Sequence, residues 1–180
     1  GTTVGRVEHT LWQFFVDHRP GWLVNVAKFM AVVGDETVLL PVTFLVAAVA
    51  VVQGRRTLRT LSPVATMVVS YVATGALKTL INRARPPLAE RLVEVSTHSM
   101  PSGHATYAAA MACLVWLLTA DRPNARPARA AAVALAALAG VSRMVLGVHW
   151  AGDVLAGWAL GAAVAVGVVR VMRTRLQSVA

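Results

Sequence analysis

Apolar residues run almost uninterrupted through five stretches of this chain, approximately Thr37 to Gln53, Leu61 to Leu80, His104 to Ala120, Ala130 to Leu146 and Ala151 to Val169. Each approaches the about 20 residues that an α-helix needs to cross a bilayer, and a helix satisfies its backbone polar groups internally, as the hydrocarbon demands. The pattern ahead of them differs. Val4, Val7, Leu11, Phe14 and Phe15 recur at helical spacing among Arg6, Glu8, His9, Gln13, Asp17 and His18, which predicts an amphipathic helix lying in the interface. Trp22 to Val33 is apolar but gives only about 18 Å of helix at 1.5 Å per residue, too short to span. Gly34-Asp35-Glu36 separates it from the first span, with two acids that favour a helix N-terminus. The predicted fold is all-α, a polytopic membrane helical bundle with five spanning helices in this chain behind N-terminal interfacial helices. It forms one membrane-embedded domain over residues 1–180, with the interfacial helices in 1–34 and the transmembrane core in 37–172.

Composition agrees with the pattern. Hydrophobic residues make up 57% of the chain and charged residues 14%, with a mean hydropathy of +0.63; soluble domains carry about 45–50% apolar residues. The net charge of +9 is almost wholly arginine. Its clusters sit in short segments between apolar runs, where the positive-inside bias accounts for them without a nucleic-acid partner. Arg55, Arg56 and Arg59 follow the first span, Arg122, Arg126 and Arg129 the third, and Arg170, Arg173 and Arg175 the fifth. Alternation puts all three groups on one face, expected to be cytoplasmic. Five spans then leave residue 1 outside, and nothing in Gly1-Thr2-Thr3 resembles a signal sequence, so an upstream helix is expected to make six in the full protein. The single cysteine, Cys113, lies in an apolar run and reads as packing.

Three polar clusters stand at the opposite ends of the same spans. His149 and Asp153 are four apart, so on a helix the carboxylate can accept the imidazole Nδ1 proton and leave Nε2 free to react. The alternative is a His-Asp pair capping the last span. Pro101-Ser102-Gly103-His104 directly precedes an apolar helix: Ser102 is a preferred N-cap, Gly103 lets backbone amides approach a ligand, and the open helix start attracts an anion. His104, in the first turn, suits general acid work, or else faces the lipid headgroups. Lys78 near the end of the second span, Arg85 restrained by Pro86 to lie just beyond it, and Arg143 at the end of the fourth supply cations for phosphate oxygens. Snorkelling to headgroups is the bland explanation for any one of them, but three cations and two histidines on one face exceed it. In the loop from Pro87 to Met100, a substrate-selecting rim or lid and a plain connector stay equally open.

Lys78, six residues, then Arg85-Pro86; Pro-Ser-Gly-His at 101–104; and Ser142-Arg143, five residues, His149, three residues, Asp153 together resemble the tripartite signature of the type 2 phosphatidic acid phosphatase superfamily. Every signature position matches. The resemblance implies an integral membrane lipid phosphatase that removes the terminal phosphate of a polyprenyl diphosphate or phospholipid phosphate. In that scheme His149 attacks phosphorus to form a phosphohistidine, Asp153 orients it, and His104 protonates the leaving oxygen and later activates water. Lys78, Arg85, Ser102, Gly103 and Arg143 hold the phosphate oxygens, with no metal or other cofactor. The implied setting is a bacterial cell membrane with the site on the extracytoplasmic face, and lipid phosphate and bilayer as partners. A lipid phosphotransferase using the same phosphohistidine, and a non-catalytic lipid-phosphate binding or transport protein, are the competing readings.

Overall fold

The structure is a computed structural model that describes residues 3–54 and 57–177. Arg55 and Arg56, and the side chain of Val4, lie outside the described residues. Seven α-helices follow one another: α1 (Thr3–Asp17), α2 (Gly21–Val33), α3 (Glu36–Val52), α4 (Leu58–Ile81), α5 (Gly103–Leu118), α6 (Arg126–Val145) and α7 (Ala151–Gln177).

Helix α1 has the amphipathic character expected of it. Val7, Leu11 and Phe14 point away from the bundle, while Trp12 and the partly buried Glu8 and Phe15 turn inward. This corrects one expectation. The sequence suggests Trp12 and Trp22 as membrane anchors, and Trp22 is indeed exposed, but Trp12 is buried with its indole N–H donated to the Gly147 carbonyl at 3.4 Å. Its ring packs between His9 and Trp150.

Helices α4 and α7 and the segment Pro123–Val145 are long and apolar enough to cross a membrane. Helices α2 and α3 qualify only together, as a pair bent by 48° at Gly34-Asp35, which is the geometry of a broken span or re-entrant loop. Asp35 caps α3 by accepting the Thr37 N–H at 2.9 Å, so the chain is free to change direction there. At 16 residues, α5 is about 24 Å long, short of the about 30 Å hydrocarbon core. It stands against α4, α6 and α7 with its first turns buried. Helix length alone therefore supports three crossings, or four with the bent pair, rather than the five expected.

The most extensive helix interface joins α5 to α7. Gly157 and Gly161 make it possible. A Cβ at 157 would stand 2.6 Å from the Ser102 carbonyl oxygen and 2.9 Å from the Ala105 Cβ, and one at 161 would run into the Thr106 carbonyl and the Ala110 nitrogen. The Gly-x-x-x-Gly spacing thus serves contact within the bundle. We expect Gly161→Val to force these helices apart and destabilise the fold by about 1–3 kcal/mol or more. The thermal unfolding midpoint in detergent micelles should fall by roughly 2–4 °C per kcal/mol lost.

On α4, Ser62, Thr66, Ser70 and Thr74 form a fully buried stripe of hydroxyls. At the other extremity of the bundle Arg59 pairs with Asp121 at 3.7 Å and Arg173 donates to the Leu117 carbonyl at 3.3 Å, so the described arginine groups collect at one end, as alternation predicts.

Candidate active site

Four helix ends meet at the opposite extremity: the C-termini of α4 and α6 and the N-termini of α5 and α7. Between them, the α2–α3 corner and the segment Val93–Thr97 lies a cavity of about 690 Å³. Lys78, Arg85, Gly103, His104, Arg143 and His149 line it together. Ser102 and Asp153 complete the expected set but are fully buried just behind this wall.

The chain reaches each position for a local reason. Helix α4 ends at Asn82, whose N–H makes the last helical bond to the Lys78 carbonyl at 3.0 Å and whose left-handed conformation (φ 49°) then turns the chain out of the helix. Beyond it Pro86 and Pro87 forbid further helix, and Arg85 lies where the sequence puts it, past the helix end. Its guanidinium donates to the Thr97 carbonyl at 2.6 Å and to the Val148 carbonyl at 2.8 Å, and Lys78 Nζ donates to the His98 carbonyl at 2.6 Å. These bonds make the segment between the first two clusters a wall of the cavity, with Leu92, Val93 and Val95 packed on the core formed by Ala27, Val145, Leu146 and Val148.

His149 sits in the short turn between α6 and α7. Its Nδ1 lies 3.2 Å from Asp153 Oδ2, and its Nε2 lies 3.1 Å from Arg85 Nη1. Guanidinium only donates hydrogen bonds, so Nε2 accepts; the neutral ring then carries its proton on Nδ1, facing the carboxylate, and a lone pair on Nε2. Burial pushes the imidazole pKa down to about 3, against the pull of Asp153 in the other direction and with the help of the Arg85 charge. The sign favours a nucleophile: a lowered histidine pKa preserves the neutral ring as pH falls. Stability from the buried neutral ring is complete above the unfolded value of about 6.5 and drains away as pH drops toward the folded one. We expect ¹⁵N-histidine NMR of the micellar protein to find His149 as the Nδ1–H tautomer from pH 8 down to about pH 5.

Asp153 is held on every side. Oδ2 accepts from the Trp150 N–H at 2.9 Å and from the Ser99 hydroxyl, and Oδ1 accepts from Arg83 Nη1 at 2.8 Å. Arg83 and Ser99 are absent from the expected set, as is Tyr107, which lies against Gly103 in the cavity wall. Arg83 had a signal in the sequence, two positions before Arg85, but no spacing rule pointed it at Asp153.

Ser102 departs from its reading as a helix cap, and His104 from the alternative that it faces the headgroups. Ser102 occupies the N-cap position of α5, yet its hydroxyl caps nothing and has no hydrogen-bond partner among the described residues. Arg143 Nε is likewise buried without a partner. Buried polar atoms are rarely left so; the Ser62, Thr66, Ser70 and Thr74 hydroxyls on α4 share the condition, but Arg143 is also a cation lining the cavity. His104 Nε2 donates to the Ala31 carbonyl at the end of α2 at 2.8 Å, with Asp35 Oδ2 3.8 Å away. The α2–α3 corner therefore holds the His104 proton.

The sequence profile of the PAP2 superfamily matches residues 59–177. Phosphatidylglycerophosphatase B of Bacillus subtilis (strain 168) is 32% identical over 148 residues, 79% of this chain and 72% of that protein. The crystal structure of a transmembrane PAP2-type phosphatidylglycerolphosphate phosphatase from Bacillus subtilis superposes with a TM-score of 0.83 at 28% identity, covering 97% of this chain and 88% of the other. Aquifex aeolicus LpxE shares the fold, with a TM-score of 0.72 at 20% identity over 89% of this chain and 93% of its own. Fold and comparisons together define a multi-pass membrane phosphatase. The chain belongs to the PAP2 superfamily.

Proposed function

We propose that this protein hydrolyses the terminal phosphate of a membrane lipid, either a polyprenyl diphosphate or a phospholipid phosphate such as phosphatidylglycerol phosphate, through a phosphohistidine on His149. One observation carries the reading. His149 Nε2 presents its lone pair, which accepts from Arg85 Nη1 until a phosphate oxygen takes that donor, in a cavity shared with Lys78, Arg85 and Arg143 and backed by two donors without a partner among the described residues, Ser102 Oγ and Arg143 Nε.

Nε2 attacks phosphorus as the bond to the leaving oxygen breaks. Asp153 stabilises the positive charge that grows on the imidazole, as the carboxylate does in hydrolytic triads. Lys78, Arg85, Arg143, Ser102 and the Gly103 amide neutralise the equatorial oxygens, where positioned charge supplies most of phosphoryl-transfer catalysis. His104, as the imidazolium, exchanges the Ala31 carbonyl for the leaving oxygen, gives it the Nε2 proton and becomes neutral, and then takes a proton from the water that cleaves the P–N bond, which restores the imidazolium and releases His149 as the neutral ring. Three side-chain cations provide the charge that a divalent metal would otherwise bring. The single domain spans residues 1–180 with its interfacial helices in 1–34, α3 and α5 complete five crossings of a bacterial cell membrane, and the cavity opens to the extracytoplasmic face, opposite the arginine-rich end.

The test is a panel of purified phosphatidate, phosphatidylglycerol phosphate and polyprenyl diphosphate, assayed for released phosphate in micelles with excess chelator. Release from at least one of them at the same rate with and without chelator is expected. Loss of activity in chelator would overturn the metal-independent mechanism, and no release from any lipid would overturn the substrate class.

A further inference from the structure

We infer that Arg83 is a positioning residue for the Asp153–His149 pair and that Glu8, on the interfacial helix α1, holds Arg83 in place, so that α1 is part of the catalytic apparatus. The inference rests on the reading of His149 as nucleophile and Asp153 as its orienting partner.

Arg83 stands between two carboxylates. Nη1 donates to Asp153 Oδ1 at 2.8 Å and Nη2 donates to Glu8 Oε2 at 2.5 Å. The other Glu8 oxygen accepts the Gly152 N–H at 2.9 Å, at the start of the helix that carries Asp153. A bond thus runs from α1 to the loop after α4, and two more run from these to the first turn of α7. Asp153 is fully buried, whereas Arg83 and Glu8 are only partly so. A buried carboxylate needs a cation, and Arg83 is the cation in direct contact with it; Arg85 is committed instead to Thr97, Val148 and His149. Arginine suits the position because its planar fork can serve both acids at once, which an ammonium on a single stem cannot.

Arg83 is not among the residues lining the cavity, and it acts on the reaction only by fixing Asp153 Oδ1. With that oxygen anchored, Oδ2 is left to the Trp150 amide, the Ser99 hydroxyl and His149 Nδ1. Without the anchor the carboxylate can rotate, and the His149 tautomer and ring angle are no longer set. Glu8 extends the effect to α1, whose Val7, Leu11 and Phe14 are exposed on its other face.

A double-mutant cycle with Asp153→Asn separates positioning from a structural role. Single-turnover and steady-state phosphate release are measured on dioctanoyl phosphatidylglycerol phosphate for Arg83→Met, Arg83→Lys and Glu8→Gln, each alone and with Asp153→Asn. Partners behind a catalytic ligand are worth about 10- to 100-fold, so Arg83→Met should lower kcat by that factor with KM within about threefold of wild type. Arg83→Lys should recover part of the loss. In the Asp153→Asn background neither Arg83→Met nor Glu8→Gln should change kcat by more than about twofold, because the group through which they act is already gone. Should Arg83→Met fail to fold, Glu8→Gln carries the test, with an expected loss of about 3- to 10-fold that vanishes in the Asp153→Asn background. Losses that multiply onto Asp153→Asn, or that fall on KM alone, would overturn the inference. An Asp153→Asn enzyme with wild-type turnover would instead overturn the reading of the site itself.

Discussion

His149→Ala is expected to reduce phosphate release by about ten-thousand-fold or more while the protein still binds a lipid phosphonate with near wild-type affinity. The two effects separate because the residues that hold phosphate and the atom that attacks it are different. Lys78, Arg85 and Arg143 remain in the cavity after the substitution, and Arg85 keeps its bonds to Thr97 and Val148. The lone pair that Nε2 presents next to Arg85 is lost, and the other histidine of the cavity wall, His104, turns its Nε2 to the Ala31 carbonyl with Asp35 on that same side. Water can enter in its place, but it is a weaker nucleophile than the imidazole and the P–N bond that His104 and water would later cleave cannot form. Single-turnover assays and calorimetric titration with a non-hydrolysable phosphonate read the two quantities independently. Turnover within tenfold of wild type would remove His149 from the chemistry, and loss of both together would mean that it organises the cavity instead.

Arg143→Met should cut kcat/KM by about 100- to 1,000-fold and at the same time raise the thermal stability of the ligand-free protein. Arg143 is 4% exposed, its Nε has no partner among the described residues, and it shares the cavity with two other cations. Burying unpaired charge is unfavourable, and exchanging such groups for apolar ones of similar volume is often stabilising by about 1–4 kcal/mol. In a membrane protein of this size that corresponds to roughly 2–4 °C per kcal/mol in the unfolding midpoint. Inorganic phosphate reverses the order. It should raise the wild-type midpoint by mass action and leave the variant nearly unmoved, because the variant has lost the donor the anion occupies. A midpoint that falls in Arg143→Met, with activity intact, would mean that Arg143 is a structural cation unrelated to the anion site.

The positions of these residues were legible from sequence because the chemistry repeats at helix ends, and helix ends are where apolar runs stop. Helix α4 extends only three residues before and one after the predicted span, and α3 and α5 agree similarly closely. Helix α7 runs to Gln177, well beyond the predicted Val169, because Arg170 and Arg173 continue the helix rather than leave it. Composition marks where charge begins, whereas a helix ends only where its backbone does. What sequence could not reveal are the contacts made across the bundle. Nothing in the amphipathic pattern of α1 distinguishes Glu8, which reaches Arg83, from its other polar residues, and Trp12 reads as a headgroup anchor until Gly147 and Trp150 are brought beside it. Ser102 shows the same limit in reverse: its place before a helix predicts a cap, and only the fold reveals a hydroxyl left unbonded.

Isolation of the covalent intermediate tests the central claim most directly. Wild-type protein is mixed with lipid substrate labelled with ³²P in the terminal phosphate, quenched within milliseconds in alkali, digested and mapped. Label on the peptide containing His149, stable in alkali, released by acid and missing from His149→Ala, is the expected result. Label on another residue, or a full turnover of phosphate with no label on protein at any quench time, would contradict it.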